Sequence, residues 1–162
     1  MKKDQIIKTL LWCAVAFWMA LIFCFSAQDA DASLETSDGV LDLVIRCFYP
    51  DFDSLSPAEQ AAKCENLSFY VRKAAHFSVF GVLGALTSLA VSRHTASLRL
   101  TSEISAVICV LYAVSDEIHQ YFVPGRACML FDVCVDSAGC FLGIAILTLI
   151  LFSVRKRKYS KG

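Results

Sequence analysis

The chain has 162 residues, an apolar fraction of 57% and no net charge at neutral pH. That length suits one domain, and the apolar content exceeds the roughly 45–50% typical of soluble domains, which directs the chain to a membrane. Its few basic residues sit among lipid-length apolar runs rather than among stacking aromatics, so a nucleic-acid partner is excluded.

In chain order, four apolar segments of about 6–25, 74–91, 102–123 and 129–154 each supply the roughly 20 residues a helix needs to cross a hydrocarbon core. The first follows Lys2 and Lys3 and precedes Ala30-Asp31-Ala32, a signal-peptide pattern. Its length and two tryptophans argue that it stays as a helix. The long loop 26–72 comes next. Leu41, Val44, Ile45 and Phe48 recur in it at helical spacing, predicting an amphipathic helix on the membrane face. Ser56, Pro57 and Glu59 then read as N-cap, first turn and capping box of a second helix, which runs towards the second span or breaks just before it. The third span has a short unbroken apolar part, 106–114, and must carry its polar end into the interface. The fold expected is all-α: an integral-membrane four-helix bundle, one domain over 1–162, with an extracytoplasmic loop bearing one or two short amphipathic helices.

Basic residues orient the bundle. With both termini cytoplasmic, the inner side holds Lys2, Lys3, Lys8, Arg93, Arg99, Arg155, Lys156, Arg157, Lys158 and Lys161, as the positive-inside rule requires. All acids except Asp4 and Glu103 then lie outside. The chain is expected in the cell membrane as a multi-pass protein. Of its eight cysteines, five lie in or beside apolar runs, where thiols are packing groups; Cys47 and Cys64 flank a polar loop, and spacing leaves a disulfide between them open.

Three polar clusters reach the outer end of this arrangement. Arg72, Lys73 and His76 open the second span; Asp116, Glu117, His119 and Gln120 end the third; Asp132 and Asp136 open the fourth, with Arg126 in the Pro124-Gly125 turn between. Arg72 and His76 are four apart, as are Asp132 and Asp136, while Tyr112, Asp116, His119 and Gln120 share a stripe, so these groups can face one interior. Glu117 lies about 100° off that stripe and is expected to meet Arg72 or Lys73. A charge at bilayer depth costs about 2.5–3.5 kcal/mol, so such groups pair or line a wet cavity. Gly139 and Gly143 on the fourth span, with Gly81, Gly84 and Ser88 on the second, read as close helix contact.

Phe25–Gln28 ("FSAQ"), Arg72–Phe77 ("RKAAHF"), Ser115–Arg126 ("SDEIHQYFVPGR") and Asp132–Gly143 ("DVCVDSAGCFLG") together resemble the VanZ-like family. These are small multi-pass membrane proteins named for a member associated with teicoplanin resistance. The resemblance implies a role in the cell envelope, in handling or shielding a surface lipid or wall precursor, and carries no catalytic assignment. Asp136 departs from the asparagine common in the family's pattern, which makes this version of the site more acidic.

Two readings follow. In the first, an outward polar pocket binds an anionic lipid or lipid-linked wall precursor: Arg72, Lys73 and Arg126 contact its phosphate or carboxylate, while His76, Asp116, Glu117, His119, Gln120, Asp132 and Asp136 complete the site. In the second, a membrane hydrolase or transferase uses His119 as acid or base oriented by Asp116, with His76 or a carboxylate as counterpart. Asp116, His119, His76 and Asp132 also offer metal-type donors, but no ligand spacing identifies a metal, so neither metal nor cofactor is expected. A transporter is disfavoured because four spans show no clear repeat.

Overall fold

The computed structural model describes residues 2–28, 30–126 and 128–159, with side chains described for all of these except 30–38, 158 and 159. The described residues form five α-helices, α1 (Lys2–Ser26), α2 (Ala30–Phe48), α3 (Pro57–Val91), α4 (Leu98–Tyr121) and α5 (Leu130–Tyr159), with a short 3-10 turn at Phe52–Ser54. No strand occurs among the described residues. α1, α3, α4 and α5 are long and apolar enough to cross a membrane.

Local chemistry sets the ends of these helices. At the start of α3, Ser56 Oγ accepts from the Glu59 amide while Glu59 Oε2 accepts from the Ser56 amide at 2.9 Å, a reciprocal capping box with Pro57 in the first turn. The helix then runs unbroken for 35 residues, about 50 Å at 1.5 Å per residue, so it overshoots a hydrocarbon core of about 30 Å. The capped segment and the second span are therefore one rod. Ser97 caps α4 by accepting from the Leu100 amide at 3.2 Å. Past its other end, Arg126 N–H donates to the Val123 carbonyl at 3.1 Å across Pro124-Gly125, with Gly125 at φ 74°. Proline second and a left-handed glycine third is the chemistry of a type II turn.

α3 and α5 form the central pair. Their contacts rise together along both helices, Lys73 with Asp132, Phe77 with Gly139 and Gly81 with Gly143, so the two run parallel. A Cβ on Gly139 would collide with the Phe77 backbone, one on Gly143 with the Gly81 carbonyl, and one on Gly84 with the Cys140 carbonyl. Only glycine permits this backbone-to-backbone approach. α4 packs on α5 and α3, and α1 packs mainly on α3. Between them Val15, Ile22, Phe80, Leu83, Ala90, Cys109, Ala113 and Cys140 form the core. Two ties across the bundle hold α1 in place: Trp18 Nε1 donates to the Val79 carbonyl at 2.8 Å, and the Tyr112 hydroxyl to the Met19 carbonyl at 2.6 Å. Phe17, Leu111 and Leu149 face outward, as lipid contact requires.

α2, with Leu41 buried and Phe48 exposed, lies against α3. Cys47 and Cys64 are free thiols.

The glycine seam makes a sharp stability prediction. Gly143→Ala is expected to lower the thermal unfolding temperature of the detergent-solubilised protein, at a cost of about 1–3 kcal/mol for overpacking. Gly81→Ala, whose Cβ would meet the Gly139 carbonyl at an ordinary 3.4 Å, is expected to melt close to the wild type. Equal melting of the two variants would contradict the seam.

Candidate functional site

One turn before the glycine contact, the same α3–α5 seam brings His76 against Asp136, with Nδ1 and Oδ1 3.5 Å apart. One turn earlier again, Lys73 and Asp132 form an ion pair. α4 adds Asp116, Glu117 and Gln120, all buried. Asp116 Oδ2 accepts from the Ser26 hydroxyl at 2.8 Å and from Gln120 Nε2 at 3.0 Å, so α1 and α4 are tied at the same level. Glu117 turns towards the start of α5, where Oε2 accepts from the Met129 amide at 3.0 Å.

Several carboxylate oxygens in this cluster lack a hydrogen-bond partner among the described residues: Asp116 Oδ1, Glu117 Oε1 and both oxygens of Asp136. Arg126 is half-buried and its Nε is likewise unpartnered. Burial, reinforced by the like charge of Arg72, draws the Arg126 guanidinium below its ordinary value against the pull of Glu117, Asp116 and Asp132.

A cavity of about 450 Å³ opens beside the cluster, between the end of α1, α2 and α3. Its apolar wall comes from Ile22, Phe25, Val40, Val44, Val71 and Val79; its polar groups include Ser26, Arg72, His76 and Arg126. Arg72 makes no hydrogen bond or ion pair among the described residues, so its guanidinium is available to a visitor. The cavity thus places two cationic side chains, Arg72 and Arg126, on an otherwise mainly apolar wall.

The ten residues singled out in the sequence do not all meet. Arg72, His76 and Arg126 line the cavity, and Asp116 and Gln120 stand behind it through Ser26. Lys73 is committed to Asp132 instead of the cavity, and Glu117 meets the Met129 amide rather than Arg72 or Lys73. His119 turns the other way: its ring stacks on Phe23 with centroids 4.1 Å apart, and it makes no hydrogen bond to Asp116 among the described residues. Ser26 had not been singled out, although it lies inside the "FSAQ" stretch; its only signal was being a small polar residue at the end of an apolar helix.

The VanZ/LLP1 family profile matches residues 11–152. The chain belongs to the VanZ/LLP1 family. Its four apolar helices and this membership together make it a membrane protein. No curated protein and no solved structure matches it. Within this VanZ/LLP1 chain, the matched region holds the whole cluster and every residue of the cavity wall.

The Lys73–Asp132 pair can be tested by a cycle. Lys73→Met alone is expected to cost about 1–3 kcal/mol, less than the 3–5 kcal/mol of a fully buried pair because the two side chains remain 18% and 14% exposed. Adding Asp132→Leu should recover most of that loss in SDS-titrated unfolding. Additive losses would show that the pair does not couple.

Proposed function

We propose that this VanZ/LLP1 protein sits in the cell membrane with both termini cytoplasmic and binds an anionic lipid or lipid-linked wall precursor at an outward-facing pocket. Its cellular consequence is a contribution to glycopeptide resistance of the teicoplanin type. The observation that carries the reading is the pairing of Arg72 and Arg126 on the wall of an apolar cavity of about 450 Å³. The volume falls within the roughly 300–1,000 Å³ of small-ligand sites. Burying two like charges beside one another is unfavourable on its own, and a phosphate between the guanidiniums converts that repulsion into two charge-assisted contacts. The acyl or prenyl chain then follows Phe25, Val40, Val44, Val71 and Val79 towards lipid.

Two contacts support the orientation. Trp12 Nε1 donates to His94 Nε2 at 3.1 Å, and Arg155 to the Ala96 carbonyl, so the start of α1, the α3–α4 turn and the end of α5 gather at one end of the bundle. That end carries Lys2, Lys3, Arg93, Arg99, Arg155, Lys156 and Arg157, which the positive-inside rule assigns to the cytoplasm. The cavity lies at the opposite end. The hydrolase reading has no comparable support, since His119 and Asp116 are not paired.

With the protein in phosphatidylcholine nanodiscs, Arg126→Glu and Arg72→Glu are each expected to weaken binding of a fluorescent phosphatidylglycerol by at least about tenfold, or 1.4 kcal/mol, with helical circular dichroism unchanged. Competition by a polyprenyl pyrophosphate separates a wall-precursor source from a bulk-lipid one. Unchanged affinity in both variants would overturn the reading. At matched membrane levels, cells carrying Arg126→Ala should be more sensitive to teicoplanin than cells carrying the wild type.

A further inference from the structure

The lipid cavity leaves one set of groups unexplained. His76, Asp116 and Asp136 come from three different helices, α3, α4 and α5, yet their donor atoms all lie within 4.8 Å of one another. Asp136 is fully buried and Asp116 is 2% exposed. Asp116 Oδ1 and both oxygens of Asp136 have no hydrogen-bond partner among the described residues, and Asp136 has only the 3.5 Å contact of Oδ1 with His76 Nδ1. The nearest lysine, Lys73, is taken by Asp132.

A buried carboxylate whose charge is incompletely neutralised costs several kcal/mol, and two close together cost more. Within these three residues one imidazolium supplies a single positive charge against two negatives, and Arg126, which also feels Asp116, is shared with Glu117 and Asp132. A divalent cation supplies both. In a tetrahedral site, bonds of about 2.0–2.2 Å put neighbouring ligand atoms about 3.3–3.6 Å apart, so His76 and Asp136, at 3.5 Å, already stand near that spacing. Asp116 is held in the manner of a ligand. Ser26 and Gln120 both donate to its Oδ2, which fixes the carboxylate plane and leaves Oδ1 for the interior. The glycine seam fixes the other two ligands by locking α3 against α5.

We propose that His76, Asp116 and Asp136 form a binding site for a divalent first-row cation, of the zinc class. One nitrogen and two oxygens suit such an ion better than magnesium or calcium, which take oxygen alone. Three protein ligands would leave a coordination position for a further ligand, and His76 borders the cavity. The site differs from the donor set suggested by the sequence in two places: Asp136 stands where Asp132 was considered, because Lys73 neutralises Asp132, and His119 is absent because it stacks on Phe23. Metal binding here requires no lipid, so it stands or falls independently of the lipid reading.

The test is metal content and spectrum of the purified full-length protein in detergent. After chelator treatment and reloading with Zn²⁺, the wild type is expected to keep about one zinc per chain through gel filtration and to melt at a higher temperature than the metal-free form. Asp136→Asn and His76→Gln should each bind at least roughly tenfold more weakly and lose that rise in melting temperature. They retain all eight cysteines, so zinc held by thiols would persist in them. Loading the wild type with Co²⁺ decides the matter even if a variant fails to fold: visible bands without thiolate charge transfer support nitrogen and oxygen ligation. Thiolate charge transfer, equal zinc in wild type and folded variants, or no retained zinc in the wild type would each overturn the site.

Discussion

The organising contact of this molecule is the backbone approach of α3 to α5 at Gly84, Gly139 and Gly143. In a membrane there is little hydrophobic gain in bringing two helices together, because lipid is as apolar as a side chain. Association relies on dispersion and on polar groups that need each other. The glycines supply the first by letting backbones touch. The second follows one and two turns along the same seam, where His76 meets Asp136 and Lys73 meets Asp132. Register set by glycine thus becomes register between charges.

From that seam the rest of the polar end is built by addition. α4 contributes Asp116 and Gln120 to the interior, and α1 ends just where the Ser26 hydroxyl reaches Asp116. α2 gives the cavity Val40 and Val44, so a charged interior has an apolar doorway. The two arginines lie at that doorway, while the carboxylates lie behind it. Such a separation of sign within one small space suits a ligand that brings its own negative charge together with a hydrocarbon chain.

Much of this was legible in the sequence, for physical reasons. Hydrophobic length gave the four spans, because a lipid core imposes a minimum run. The Ser56–Glu59 capping box was readable because it is local, and its consequence, one continuous α3, follows from the absence of any proline or glycine between Pro57 and Gly81. Helical spacing correctly paired Asp116 with Gln120, which differ by about 40° around the axis. It failed for His119, about 60° to the other side of Asp116, which was free to turn towards Phe23 on α1. Ser26 stayed hidden because its partner lies 90 residues away and depends on where α1 leaves the bundle. The exchange of partners that gives Lys73 to Asp132 and Glu117 to the Met129 amide depends on axial heights of three helices, which no periodicity encodes.

The central claim is that an anionic amphiphile enters between α1, α2 and α3 with its headgroup at Arg72 and Arg126. The most direct measurement is photo-crosslinking with an anionic phospholipid bearing a diazirine near the headgroup end of its chain, followed by peptide mapping by mass spectrometry. The account predicts crosslinks concentrated at Phe25, Val40, Val44 and Val71, and their loss on competition with unlabelled anionic lipid but not with phosphatidylcholine. Crosslinks spread instead over the outward faces of α4 and α5, at residues such as Leu111 and Leu149, and insensitive to competition, would contradict it.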